Sequence, residues 1–251
     1  MTPTVASLQR HPLKSHGREA LSRVRLTEGQ GLQWDRHWAV AHDAAKIAEG
    51  EWSPCQNFSR GSKAPKLMAI NATLDEAAAT LTLTHPERPD ITFHPDDSSD
   101  AARFIDWVRP ISPADRALPA RIYSVEGRGM TDTDYPSVSL ISLASNRALA
   151  EYMGIDLSPL RWRGNIWLEG LRPWEERDWI GRKLRVGGAV LEIVEPKERC
   201  LATTANPVTG ERDADTLRAL TALHGDKDFG LYAKVIESGE INVGDRAELL
   251  P

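Results

Sequence analysis

The chain has 251 residues, 41% hydrophobic and 27% charged, with a formal net charge of −5, which supports one large or two small globular domains. Acids and bases are interspersed without a basic stripe, no apolar run approaches a bilayer span, and the N-terminal MTPTVASLQRHPLKSHG has no apolar signal core; nucleic-acid binding, membrane insertion and secretion are therefore not expected. The two cysteines, Cys55 and Cys200, do not make a disulfide framework, so the expectation is a cytoplasmic protein with both thiols free.

In chain order, HPLKSHG (11–17) comes first. Its proline sets an extended or turned backbone, and Lys14 beside the Ser15 hydroxyl suits a phosphate, although a solvated lysine is the ordinary reading. WDRHWAVAH (34–42) alternates as a half-buried strand does and places Arg36 inside it, where a guanidinium needs a carboxylate or an anion. KLMAINATLD (66–75) and AATLTLTHP (78–86) read as two strands around a turn, and ITFHP (91–95) and ARIYSV (120–125) as short ones. SDAARFIDWV (99–108) has helical spacing with Ser99 as its cap. The segment 112–136, rich in proline, glycine and aspartate, reads as a division, giving domains at 1–115 and 116–251.

SVSLIS (137–142) is a strand, and SLASNRALAEYMG (142–154) a helix from Ser142 to the stop at Gly154. RWRGNIWLEG (161–170) holds a strand bounded by glycines and brings Arg161, Arg163 and Asn165. Eight tryptophans, four of them between 162 and 179, read mostly as core residues. KLRVGGAVLEIVEP (183–196) is a hairpin about a two-glycine turn. DADTLRALTALHG (213–225) is a helix ending at Gly225, and the tail from Gly230 gives three short strands. Three helices among about ten strands indicate a mainly β (α+β) protein, with barrels favoured over a flat sheet.

Chemistry concentrates at ERCLATTANPVTGERD (198–213). Cys200 lies just past a strand end beside Lys197 and Arg199, with Glu198 opposing them. Cationic neighbours favour a thiolate, the form that attacks or binds metal. Thr203 and Thr204 add hydroxyls, and NPVTG (206–210) is a turn. A small buried core thiol is the alternative, and the local sequence alone leans toward it. No CxxC, HExxH, GxGxxG, P-loop or GxSxG motif is present, so zinc, dinucleotide and serine-hydrolase readings lack support.

Taken together, HPLKS, GLQWDRHWAV, VSLISLASNRAL, RWRGNIWLEG, PWEERDWIG, ERCLATTANPVTGERD and FGLYAKVIESGEINVGD resemble, in order, the motifs of MOSC-domain proteins with an N-terminal MOSC β-barrel domain. The likeness is to the group that includes the mitochondrial amidoxime-reducing component and its bacterial relatives. The resemblance implies an N-terminal β-barrel-like domain, a C-terminal MOSC β-barrel with inserted helices, and a molybdenum-pyranopterin cofactor between them. It implies Cys200 as the metal ligand and catalytic residue. Lys14, Ser15, Arg36, Arg163 and Asn165 would hold the pterin and its phosphate, with Ser145, Arg199 and Tyr232 lining the same cleft.

The implied activity is reduction of N-hydroxylated or N-oxide small molecules. Electrons would come from a separate electron-transfer protein, since the sequence ends at GDRAELLP without a ferredoxin-like extension. The alternative is a carrier of cofactor, or of sulfur as a Cys200 persulfide, without turnover of its own. The sequence departs from the family pattern at His11, Gly164 and Glu198, where tyrosine, proline and serine are usual. An acidic side chain beside the cysteine disfavours a thiolate or phosphate if it points inward, so its direction matters.

Overall fold

A computed structural model describes residues 2–251. Fifteen strands and three α-helices are present among them, and the protein is mainly β. The first strand, β1 (Thr4–Arg10), is followed by β2 (Glu19–Leu21), β3 (Arg23–Leu26) and β4 (Trp38–His42). A three-stranded meander, β5 (Asn71–Asp75), β6 (Thr80–His85) and β7 (Arg88–Phe93), leads into α1 (Ser98–Val108) and β8 (Pro119–Ser124). Then come β9 (Val138–Ser142), α2 (Leu143–Met153), β10 (Ile166–Glu169), β11 (Lys183–Val186) and β12 (Ala189–Glu198). The chain closes with α3 (Thr216–His224), β13 (Asp228–Glu237), β14 (Gly239–Asn242) and β15 (Ala247–Leu249).

The main sheet runs β15-β11-β12-β13-β9-β10-β1-β2. It curls on itself: Thr4 bridges Arg246, Val5 donates to the Asp245 carbonyl at 2.8 Å, and Ala247 donates to the Pro3 carbonyl at 2.8 Å. These contacts pair backbone groups at the β15 edge with the start of β1. Its interior is apolar, with Val5, Leu8, Leu140, Ile166, Leu191 and Leu231 buried together. The two halves therefore interleave, because the N-terminal strand β1 belongs to the barrel formed by the C-terminal half.

The second body packs α1 on the meander. Trp38, Leu81, Leu83, Phe93, Phe104 and Trp107 fill its core. Asp97, not Ser99, caps α1: its carboxylate accepts from the Ser99 and Asp100 amides, the stronger acceptor taking the orphan donors of the first turn. A third cluster lies under α2 and α3, where Trp162 stacks on Phe229 with ring centroids 4.0 Å apart. Of the four tryptophans between 162 and 179, three are buried and Trp174 is partly so. Among the described residues no helix is long and apolar enough to cross a membrane.

Candidate active site

Three separate turns bring cations to one place. The first is the 11–17 turn. The Lys14 amide donates to the Trp38 carbonyl at 2.7 Å, which ties the turn to β4, and Ser15 adopts φ +65°. Lys14 Nζ donates to the Met130 carbonyl at 2.7 Å and to Asp132 at 2.5 Å. The second is the turn before β4. The expected strand over 34–42 begins only at Trp38, and Trp34 and Arg36 sit at positive φ. Arg36 donates from its amide to the His11 carbonyl at 2.7 Å, and its guanidinium pairs with Asp35. Asp35 Oδ1 also accepts from the His11 amide at 2.8 Å. Burial alone would raise the Asp35 carboxyl, but Arg36 and then His11 hold it well below the usual carboxylate range.

The third turn carries Arg163, at φ +49°, just past a 3-10 turn over Pro159–Trp162. Its carbonyl accepts from Arg36 Nη2 at 3.1 Å. Both of its own Nη atoms are buried and have no hydrogen-bond partner among the described residues. Burial first, then repulsion from Arg36 and Arg18, brings its guanidinium down to about 9. A left-handed backbone, an unpaired buried cation and a cationic neighbour are each costly. Their coincidence makes this end of the cavity suited to an anionic group.

These turns face the end of β12. Strand alternation separates its residues: Lys197 and Arg199 are buried, while Glu198 and Cys200 are exposed. Arg199 is fixed by donating Nε to the Phe229 carbonyl at 2.6 Å and Nη1 to the Trp162 carbonyl at 2.7 Å. Burial, then Arg199 and Arg36, push the Lys197 ammonium well below its ordinary value. The buried reading of Cys200 is corrected: its thiol lies open at the start of a 3-10 turn over Leu201–Thr204. The nearby threonines spend their hydroxyls locally, Thr203 on Thr216 at 2.7 Å and Thr204 on the Leu201 carbonyl at 2.8 Å. Gly210 (φ +74°) is required in the following turn, because a Cβ there would lie 2.5 Å from the Lys66 Cα.

Together these groups line one cavity of ≈ 490 Å³, with seven cationic side chains against four carboxylates. Lys14, Ser15, Arg36, Arg163, Arg199, Cys200 and Tyr232 all reach it. Asn165 lies on its flank, on a small void that it shares with Arg36 and Tyr232. Its amide is engaged structurally, with Oδ1 accepting from Ser139 and Nδ2 donating to the Gln9 carbonyl at 3.2 Å.

Ser145 is not brought to the cavity. It is fully buried in α2, donating to Glu176 at 2.8 Å and accepting from the Trp174 amide at 2.8 Å. Its position in a helix N-terminal turn, facing a buried carboxyl, explains the polar residue without a ligand.

The structure adds residues that the sequence reading passed over. Asp132 holds Lys14, and Lys14, Arg36 and Lys197 outweigh the desolvation that acts on its carboxyl, leaving it well below the carboxylate range. It lies in the 112–136 segment, whose DTD run looked like linker. Cys55 also lines the cavity, and Arg60 Nη1 donates to its sulfur at 3.1 Å. No local pattern in the sequence links 55 to 200. Gly164 is explained too: a Cβ there would lie 2.4 Å from Ile141 Cδ1, which fills the space a larger residue would take.

Residues 130–248 match the family described as MOSC domain, and residues 2–110 match MOSC N-terminal beta barrel domain. The chain belongs to the MOSC-domain family. It is 26% identical over 251 residues to a molybdenum cofactor sulfurase from Caenorhabditis briggsae, which covers 92% of this chain and 33% of that protein. It is 24% identical over 284 residues to mitochondrial amidoxime-reducing component 1 from Danio rerio, covering 96% of this chain and 83% of that protein. This MOSC protein thus spans about a third of the sulfurase that it matches and most of the amidoxime-reducing component. Its fold also aligns with the YUAD protein from Bacillus subtilis over 99% of this chain and 96% of that one, at 11% identity and a TM-score of 0.47. The family match supports a molybdenum-cofactor-associated function for the chain.

Proposed function

We propose that this MOSC protein is an oxidoreductase that binds a molybdenum-pyranopterin cofactor in the cationic cavity and reduces N-hydroxylated or N-oxide compounds. One observation carries the cofactor reading: both Nη atoms of Arg163 are buried without a hydrogen-bond partner among the described residues, in a cavity where Lys14, Arg36, Lys197 and Arg199 converge. The donor set suits a phosphate-bearing, anionic group, since guanidinium, ammonium and the Ser15 hydroxyl are the natural donors to phosphate oxygens. The open Cys200 thiol suits a soft, redox-active metal. Amidoxime reduction comes to this chain from its similarity to the Danio rerio protein.

In this reading the buried cations hold the anionic end and Cys200 ligates the metal. When bound, the cofactor supplies the two-electron reduction of an N–O bond. Arg199, locked by two carbonyls, sets the direction of the strand end that carries Cys200. The overall balance is an N-hydroxyl group plus two electrons and two protons giving an N–H group and water. The electrons come from a separate electron-transfer protein and the substrate is a small molecule. The cytoplasm, a reducing compartment, keeps Cys55 and Cys200 as thiols.

The exposure of Cys200 also favours a second reading, a carrier that passes on cofactor or persulfide sulfur. Turnover of an N-hydroxylated substrate by cofactor-loaded protein with a chemical electron donor separates the two. The reductase turns over, whereas the carrier does not and shows sulfane sulfur on Cys200 by mass spectrometry.

A further inference from the structure

The end of β12 presents two side chains to the open side of the cavity. Glu198 and Cys200 are two residues apart in extended backbone, with Cys200 at φ −113° and ψ 176°. They therefore share one face, about 7 Å apart along the chain. Lys197 and Arg199 point the other way and are buried. Both Glu198 and Cys200 line the cavity, and both are exposed.

Two of the other three carboxylates are engaged. Asp132 is held by Lys14, and Glu195 accepts from the Tyr135 hydroxyl at 2.5 Å. Glu198 makes no ion pair or side-chain hydrogen bond among the described residues. Asp134 lines the same cavity, likewise without an ion pair or side-chain hydrogen bond among the described residues, but Glu198 is the one two residues from the thiol; Asp228 sits opposite Glu198 on β13. The cation on the open side is Arg60, already donating to Cys55. The cavity is thus polarised, with the unpaired Arg163 guanidinium at the buried end and the unpaired Glu198 carboxylate beside the thiol.

We propose that Glu198 is a specificity-determining residue that selects, at the Cys200 end of the cavity, small molecules carrying a positive charge next to their N–O group, of the N-hydroxyguanidinium type. The proposal rests on the reductase reading for the word substrate, but its electrostatic content belongs to the chain alone. Reduction of such a cation consumes two electrons and two protons and leaves a guanidinium and water, so the positive charge persists beside the carboxylate from substrate to product. An unpaired carboxylate attracts that charge throughout and disfavours anionic competitors.

The test has two arms. In ligand-free protein carrying Cys55→Ser, Cys200 is the single thiol, and its modification rate is measured with trimethylammonium-ethyl and sulfonatoethyl methanethiosulfonate. Glu198→Gln slows the cationic reagent and speeds the anionic one, each by about threefold for a unit charge about 7 Å away in water-like surroundings. An unchanged ratio of the two rates overturns the proposal. In cofactor-loaded protein, kcat/KM is compared for an aryl N-hydroxyguanidine and the uncharged N-hydroxyurea of the same aryl group. Glu198→Gln lowers the first relative to the second, mainly through KM. Turnover of both without any change in their ratio sinks the specificity role and leaves the reductase reading intact. No turnover of either by fully loaded protein sinks the reductase reading, and the modification rates alone then decide whether Glu198 selects cations.

Discussion

Arg163 should weaken the protein that it serves. Arg163→Met keeps the aliphatic length and removes the charge, while the backbone carbonyl that accepts from Arg36 is retained. Burial and neighbouring cations bring the guanidinium from its ordinary value down to about 9 in the folded protein, and at about 1.4 kcal/mol per unit this corresponds to about 5 kcal/mol of disfavoured charge. The substitution gives up side-chain contacts and the weak attraction of Asp35 and Asp132, so a net stabilisation of about 2 kcal/mol is expected. For a chain of this size that is a rise in Tm of about 4–8 °C. The assay is thermal unfolding followed by circular dichroism, on wild type and variant made in a host that does not synthesise the cofactor. In a host that does, the same variant should carry little or no pterin. A melting temperature lowered by the substitution, with pterin content intact, would show Arg163 to be an ordinary structural arginine.

Ser145→Ala should lower stability by about 1–3 kcal/mol, because it leaves the Trp174 amide without a partner and takes a hydrogen bond from buried Glu176; molybdenum and pterin content, measured alongside Tm, should not change. Gly164→Ala should destabilise by about 1–3 kcal/mol through overlap with Ile141. In an Ile141→Val background the penalty should shrink by at least about 1 kcal/mol, and additive effects in the double-mutant cycle would refute the contact. Acid should destabilise the protein well above the carboxylate range. Burial brings His16 down to about 4 and lowers His11 well below its ordinary value. Their neutral forms are favoured in the fold, so stability is full above about 6.5 and is lost as pH falls toward 4, by up to about 3 kcal/mol for His16. Asp35, held below the carboxylate range, adds a loss at lower pH still. A urea midpoint that stays flat from pH 7 to 4.5 would contradict this.

Local chemistry was readable where the chain decides locally. Gly187 at φ +52° turns the hairpin between Lys183–Val186 and Ala189–Glu198, and Gly154 and Gly225 end their helices in the left-handed conformation. Strand alternation also settles the direction of Glu198, away from the buried cations. What was not readable depends on distant partners. Thr4–Arg10 shows no alternation and becomes a strand by pairing with Ile166–Glu169. The WDRHW segment is not a strand at its start, because Arg36 and Asp35 turn inward to His11. Asp132 and Cys55 enter the cavity on loops whose composition signals only a turn. Ser145 shows the converse: a motif position that local burial commits to holding Glu176.

If the cationic cavity holds a molybdenum cofactor through Cys200, retention of the metal depends on that thiol. Metal and pterin analysis of purified wild type and Cys200→Ala, both from a host that makes the cofactor, tests it most directly. Near-stoichiometric molybdenum and pterin are expected in the wild type, with metal lost or labile in the variant. Absence of both from the wild type, or molybdenum held equally well without the thiol, would contradict it.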